Sequence, residues 1–509
     1  CISLAALPRT TTDGAMERDE REGGAGYAPQ IPTGVPGLDR VLNGGLRRGA
    51  LHVVLGGPGA GKSVLAHQMG AHLIRQGGRV LYLTALVETH QTLLSQARTF
   101  RFFDPGVVPG SFYYASLYPT LARDGVAGVR EEIGRLVAQH DATLVVLDGV
   151  HALKVTSSSR LEYQRFMHEM EAQATVSGVT TLMLTHPEEA MASDPTFTIA
   201  DGILHLRAED VGLRTVRMIA VEKLRGVPHI GGWHTFAIRR EGMHIYPRLE
   251  SLTVGMEAMA RGDGPAEEAG TLLDFEVEGL REMLGGGVPR GSATVVIGTP
   301  GSGKTLTGMA FLSAGVQAGE PGLFFGFHEG PESLCRKADG VGLAFRRGVE
   351  AGAIHAYWRA PTEMLADEVA ERLLDMVEEH GIRRVVIDAI EDLRHSVIPA
   401  SREMAFLSAL ANLLRHRGVT TVMLLDLTRI AGINFDLPLP EFAAVMDNVL
   451  HLRFVEQNSE LHRMVSILKM RAGTHDHAMR EFHVGPGVLK VGKPFKGVEM
   501  VLTGLALPR

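Results

Sequence analysis

Two eight-residue segments constrain this chain more than anything else in it: Gly56-Gly57-Pro58-Gly59-Ala60-Gly61-Lys62-Ser63 and Gly298-Thr299-Pro300-Gly301-Ser302-Gly303-Lys304-Thr305. Each spells G-x-x-x-x-G-K followed by Ser or Thr. That is the pattern of a loop whose backbone N–H groups curl around phosphate oxygens at the start of a helix. A glycine-rich turn with no ligand is the plainer reading, but the pattern occurs twice and follows an apolar run each time. In the mechanical reading, Lys62 or Lys304 reaches the β and γ phosphates of ATP, and Ser63 or Thr305 ligates Mg²⁺.

Lys62 and Lys304 stand 242 residues apart, and the text around them recurs in the same order. "LNGGLRRGALHVVLGGPGAGKS" (Leu42 to Ser63) answers "LGGGVPRGSATVVIGTPGSGKT" (Leu284 to Thr305). Glu88 follows its lysine by 26 residues and Glu329 by 25; Asp148 follows by 86 and Asp388 by 84; Lys223 follows by 161 and Lys469 by 165. One unit is therefore written twice. Apolar runs alternating with helical stretches predict an α/β fold: two tandem phosphate-loop domains, each a mostly parallel sheet flanked by helices, with the site at the C-terminal ends of the strands. The predicted layout is a disordered leader over 1–30, domains over 31–250 and 271–509, and a Gly- and acid-rich linker over 251–270.

Three further residue sets carry the expected chemistry. Asp148 and Asp388 each close an apolar run, where a carboxylate at a strand end holds the magnesium shell; capping the next helix is the competing role. Glu88 and Glu329 end the strand after the first helix, placed to orient or deprotonate an attacking water, with an exposed turn acid as the competing role. Lys223 with Arg225, and Lys469 with Arg471, alternate in a strand and share a face. Such a pair suits either a neighbouring subunit's γ-phosphate or plain solvent.

Composition narrows the setting. The chain has 509 residues, 45% apolar and 21% charged, with a net charge of −7, which gives no general pull toward nucleic acid or an anionic membrane. Cys1 and Cys335 are its only cysteines, so a disulfide framework is excluded and a reducing cytoplasm is expected. No apolar stretch is long enough to predict a membrane span. Cys in place of an initiating Met reads as a truncated or misplaced start in preference to a lipid-modified terminus.

With these residues in place the chain resembles the KaiC family, the RecA-like double-domain ATPases best known from the cyanobacterial circadian clock. The resemblance runs from Thr33 to the C-terminus and rests on "TGVPGLD" and "GGL" before the first loop, "KLRG" late in the first unit and "KMRAGTHDHAMREF" (Lys469 to Phe482) late in the second. It implies homohexameric double rings with ATP and Mg²⁺ between subunits, and gives Lys223, Arg225, Lys469 and Arg471 a role in the adjacent protomer's site. Two departures stand out. The family's adjacent glutamates read Val87-Glu88 and His328-Glu329 here, so slow turnover is expected. Ala443 and Ala444 occupy the positions of the clock protein's phosphorylated Ser-Thr pair, so clock-type autophosphorylation is not expected. The C-terminal "VGKPFKGVEMVLTGLALPR" also reads unlike the family's long flexible tail. The expectation is a KaiC-like paralogue outside a full oscillator, acting in signalling through a partner that the sequence does not identify.

Other readings keep the motifs and change the job. A Ser/Thr autokinase of the clock type would need another hydroxyl. A RecA-class DNA repair ATPase would need basic loops. "THPEEAMASDPTFTIAD" instead carries Glu188, Glu189, Asp194 and Asp201, and "LTRIAGINFDLPLPEFAAVMDN" has only Arg429, so nucleic acid is disfavoured. A nucleotide-switched scaffold would hold ATP without turning it over. His475 and His477 lack a third metal ligand in sequence and read as exposed.

Overall fold

The apolar run ahead of each phosphate loop becomes the central strand of a nine-stranded sheet. The computed structural model describes residues 29–86, 90–187, 195–253, 271–427, 445–457, 459–494, 498–499 and 507–508. Most of the expected leader and, from Val254 on, the expected linker lie outside these residues.

In the first sheet the strands are β1 (Leu51–Gly56), β2 (Val80–Thr84), β3 (Phe112–Ser116), β4 (Leu144–Asp148), β5 (Thr180–Thr185), β6 (Gly202–Val211), β7 (Arg214–Leu224), β8 (His234–Arg239) and β9 (Gly242–Tyr246). Their order is β9-β8-β7-β6-β1-β5-β4-β2-β3. The second sheet holds β10 (Ala293–Gly298), β11 (Gly322–Gly326), β12 (Ile354–Trp358), β13 (Arg384–Asp388), β14 (Thr420–Asp426), β15 (Asn448–Gln457), β16 (Glu460–Met470), β17 (Arg480–Gly485) and β18 (Val488–Pro494). Its order, β12-β11-β13-β14-β10-β15-β16-β17-β18, is that of the first sheet read from the other edge. In the second sheet the pairings from β12 to β15 are parallel, and those from β15 to β18 are antiparallel.

The unbroken apolar runs follow from burial on both faces. Alternate residues of one strand enter different cores: Val295 and Ile297 of β10 pack with Val385 and Ile387 of β13, while Val296 and Val386 join a separate cluster with Phe311 and Phe324. Helices α1 (Lys62–Arg75) and α2 (Lys304–Gln317) leave the phosphate loops, and the short α3 (Ile390–His395) leaves the end of β13. The two-residue strands Gln30–Ile31 and Leu46–Arg47 pair, as do Leu272–Leu273 and Val288–Pro289. The repeated glycine pairs serve these turns. A Cβ at Gly45 would stand 2.2 Å from the Ile31 carbonyl oxygen, and one at Gly287 would stand 2.3 Å from that of Leu273. "TGVPGLD" is also structural: Asp39 Oδ1 accepts from the Thr33 hydroxyl at 2.6 Å and from its N–H at 2.8 Å.

Contacts divide the chain into two compact units. The first runs through Arg207 and adds Ile219–Gly232 and Ile238–Met243; the second takes Ala208–Met218, Trp233–Ala237 and everything from His244 onward. Among the described residues no helix is long and apolar enough to cross a membrane.

Candidate nucleotide sites

The two loops fold alike. Gly61 and Gly303 precede the helices at φ 103° and 110°, a backbone region that strains any residue with a Cβ, and Gly59 and Gly301 sit at φ 71° and 78°. No atom would stand within 4 Å of a Cβ at Gly57 or Gly59, so the first loop keeps an open concavity. Pro58, Ala60 and Ser63 complete that loop, and Thr299, Pro300 and Ser302 fill the matching positions of the second.

Each lysine folds back over its own loop. Lys62 Nζ donates to the Gly56 and Gly57 carbonyls at 2.6 and 3.1 Å, and Lys304 Nζ donates to those of Gly298 and Thr299 at 3.0 Å each. Burial pulls the Lys62 ammonium below its ordinary value. In the second loop the hydroxyls of Thr299 and Ser302 are buried and have no hydrogen-bond partner. A Cβ at Gly301 would meet only the Phe454 ring, at 4.0 Å, so the second loop is open on that side as well, and a glycine loop open in this way fits a phosphate.

Asp148 and Asp388 terminate β4 and β13 at the same level as the loops. Thr305 Oγ1 donates to Asp388 Oδ2 at 2.8 Å, bringing the two expected metal ligands of the second site together. Burial pushes the Asp388 carboxyl up, and the Thr305 hydroxyl opposes that. In the first site Asp148 Oδ2 accepts from the Tyr82 hydroxyl at 2.7 Å. Register places Phe324 where Tyr82 stands, because Thr84 pairs with Asp148 as Gly326 pairs with Asp388. No group of three or more His, Cys, Asp or Glu that could hold a metal ion occurs among the described residues. One carboxylate and one hydroxyl beside a phosphate loop is the sparse oxygen set that suits Mg²⁺, which keeps waters and takes its remaining ligands from the nucleotide.

The glutamates fare differently. Glu88 lies outside the described residues. Glu329 is paired with the Lys337 ammonium and accepts from the Ser333 hydroxyl at 3.1 Å. His328 Nε2 is 2.8 Å from Asp392 Oδ2, and the residue lines the same cavity as Glu329. Glu329, Lys337, Lys304, Thr305, Asp388 and Arg463 line one cavity of about 460 Å³.

The cationic pairs sit at the other end of the strands. Val449 pairs with Lys469 and Leu452 with Val465, while on its other edge β15 pairs Asn448 with Thr294 and Leu452 with Gly298. Lys469 therefore lies toward the end of the strands opposite the phosphate loop. Arg463, six residues earlier on β16, donates to the Gly301 carbonyl at 3.1 Å, and six residues of strand span roughly 20 Å. Lys469 donates to the Met446 carbonyl at 2.7 Å, and Arg471 to Asp447 Oδ1 at 3.0 Å. The first unit repeats this. Lys223 donates to the carbonyls of Phe197 and Thr198 at 3.0 and 3.1 Å, and Arg225 to that of Thr198 at 2.9 Å. Burial, then the adjacent arginine, lowers the pKa of Lys223 and of Lys469.

His475 and His477 stack edge to face at 4.5 Å. Glu188, Glu189, Asp194, Arg429, Ala443 and Ala444 lie outside the described residues. Asp201 is 3% exposed and accepts from Arg47, so it serves the interior of the first unit and not a polyanion-facing loop.

Five site residues escaped the sequence reading: Tyr82, His186, Arg463, Lys337 and Asp426. Asp426 Oδ1 stands 2.6 Å from Lys304 Nζ. Its signal was present, since Asp426 closes an apolar run as Asp148 and Asp388 do.

Comparison with known proteins finds the same doubling. The family profile described as "ATPase: KaiC" matches residues 31–250 and again 274–496. The chain is 25% identical over 489 residues to the "Circadian clock protein KaiC3" of Synechocystis sp., covering 93% of this chain and 94% of that one. It is 24% identical over 486 residues to the "Circadian clock oscillator protein KaiC" of Picosynechococcus sp., covering 93% and 92%. A protein of the same description from Thermostichus vulcanus is 25% identical over 489 residues, covering 93% and 91%.

Proposed function

The chain belongs to the KaiC family of ATPases, and from that premise we propose that it forms a homohexameric double ring, binds ATP with Mg²⁺ at both loops and hydrolyses it slowly. Its role is regulation or signalling without the clock-type Ser/Thr switch. The observation that carries this reading is the placement of Lys223, Arg225, Lys469 and Arg471 across the sheet from their own loops. Cations there cannot serve the phosphate of their own unit, whereas a ring brings one subunit's far edge to its neighbour's loop.

In this account the loop N–H groups and Lys62 or Lys304 hold the β and γ phosphates, with each lysine exchanging its two loop carbonyls for phosphate oxygens. Ser63 with Asp148, and Thr305 with Asp388, would hold Mg²⁺, which supplies charge neutralisation between the phosphates when bound. Glu329 positions the attacking water in the second site once Lys337 releases it, and Glu88 does so in the first. Lys337 and Ser333 must release the Glu329 carboxylate before it can reach a water, so turnover is slow. The same pair supports a second reading, a scaffold that holds ATP and changes state on exchange.

Light-scattering mass with and without ATP, beside ADP release and phosphate incorporation from labelled ATP, tests the proposal. ATP-dependent hexamers, slow turnover that falls further in Glu329→Gln, and no label on the protein are expected. Stable label would make it an autokinase, and a monomer in saturating ATP would remove the trans role of the cationic pairs.

A further inference from the structure

The two sites differ at the residue that ends the strand between the phosphate loop and the metal-site carboxylate. Ile297 of β10 pairs with Leu425, and Leu55 of β1 with Thr185, so Asp426 in the second unit and His186 in the first occupy equivalent positions. Each meets its loop lysine. Asp426 Oδ1 is 2.6 Å from Lys304 Nζ, and the Lys62 charge acts on the His186 ring, which also reaches the Gly56 backbone.

An aspartate and a neutral imidazole do opposite things to a phosphate. Lys304 is buried, 6% exposed, and already satisfied by two carbonyls and a carboxylate. Asp426 is held in place from behind, because its N–H donates to Glu391 Oε1 at 2.6 Å. Its carboxylate is 41% exposed and faces the cavity that holds Asp388 and Glu329. The γ-phosphate of ATP brings one more negative charge than ADP to this lysine, and Asp426 must either yield Lys304 or share it with that charge. In the first site His186 is held below its ordinary pKa by partial burial and by Lys62, and at neutral pH it adds no anion.

Resting on the reading of both loops as ATP sites, we propose that Asp426 is a specificity-determining residue that biases the second site toward ADP over ATP, and that His186 leaves the first site without this bias.

The test uses the full-length chain carrying Lys62→Ala, so that binding reports on the second site. Competition against a fluorescent ADP analogue gives dissociation constants for ADP and for the slowly hydrolysed ATPγS. Asp426→Asn should lower the ATPγS-to-ADP ratio of dissociation constants by about tenfold, with the ADP constant moving less than threefold. The reciprocal substitution, His186→Asp in a Lys304→Ala chain, should raise the first site's ratio by a similar factor, and it decides the matter if Asp426→Asn does not fold. An unchanged ratio in both chains overturns this inference and leaves the ATP sites standing. Weaker ATPγS binding in Asp426→Asn also overturns it, because Asp426 would then be needed as a ligand. Failure of the second site to bind either nucleotide with Asp426 intact overturns the nucleotide-site reading itself.

Discussion

Replacing Glu391 with Gln should stabilise the second unit at alkaline pH and do nothing at acid pH. Glu391 sits on α3, three residues past Asp388; its Oε1 accepts the Asp426 N–H at 2.6 Å, and its Oε2 is buried without a hydrogen-bond partner. Burial pushes its carboxyl from an ordinary 4.5 up to about 7; backbone N–H groups of Glu391 and Asp426 oppose the rise, and the Asp426 charge adds to it. Between these two values the unfolded chain gives up a proton that the folded chain keeps. Stability is therefore full below about 4.5, falls as pH rises through the window and levels off above 7. That gap corresponds to about 3 kcal/mol at 1.36 kcal/mol per pKa unit. Glutamine keeps the carbonyl that accepts the Asp426 N–H and never ionises. Urea denaturation of the second unit's transition from pH 4 to 8 should show Glu391→Gln gaining up to about 3 kcal/mol at pH 8 and matching wild type at pH 4. Parallel pH profiles for the two proteins, or a variant less stable at pH 8, would refute the reasoning.

Two other perturbations follow from buried polar contacts. Arg384 is 2% exposed, donates to Glu320 Oε2 at 2.6 Å and lies over the Phe311 ring at 4.8 Å; Glu320→Ala should cost about 3–5 kcal/mol in denaturant titration by leaving that guanidinium without its carboxylate. Tyr82→Phe should cost about 1–2 kcal/mol in the first unit's transition without nucleotide, since the hydroxyl donates to a carboxylate; a change confined to the second unit's transition would contradict that assignment.

Much of this architecture was legible because the signals are local. A phosphate loop declares its strand and helix within a dozen residues, and an apolar run buried on both faces ends visibly at Asp148 or Asp388. The repeat doubled each such observation. What was not legible depends on register between segments distant in sequence. Arg463 meeting Gly301, 162 residues apart, is a product of sheet order. Asp426 and His186 end comparable apolar runs, but only strand pairing shows that they face the two lysines. "TGVPGLD" illustrates the converse. Part of the family's text is there to clasp a turn, through Asp39 and Thr33.

One chain is proposed to carry two working ATP sites. Nucleotide retained per chain after equilibration with Mg-ATP and rapid desalting tests it most directly, in wild type, Lys62→Ala and Lys304→Ala. Two nucleotides per wild-type chain and one in each variant are expected. One in wild type, unchanged by either substitution in turn, or none, would contradict it.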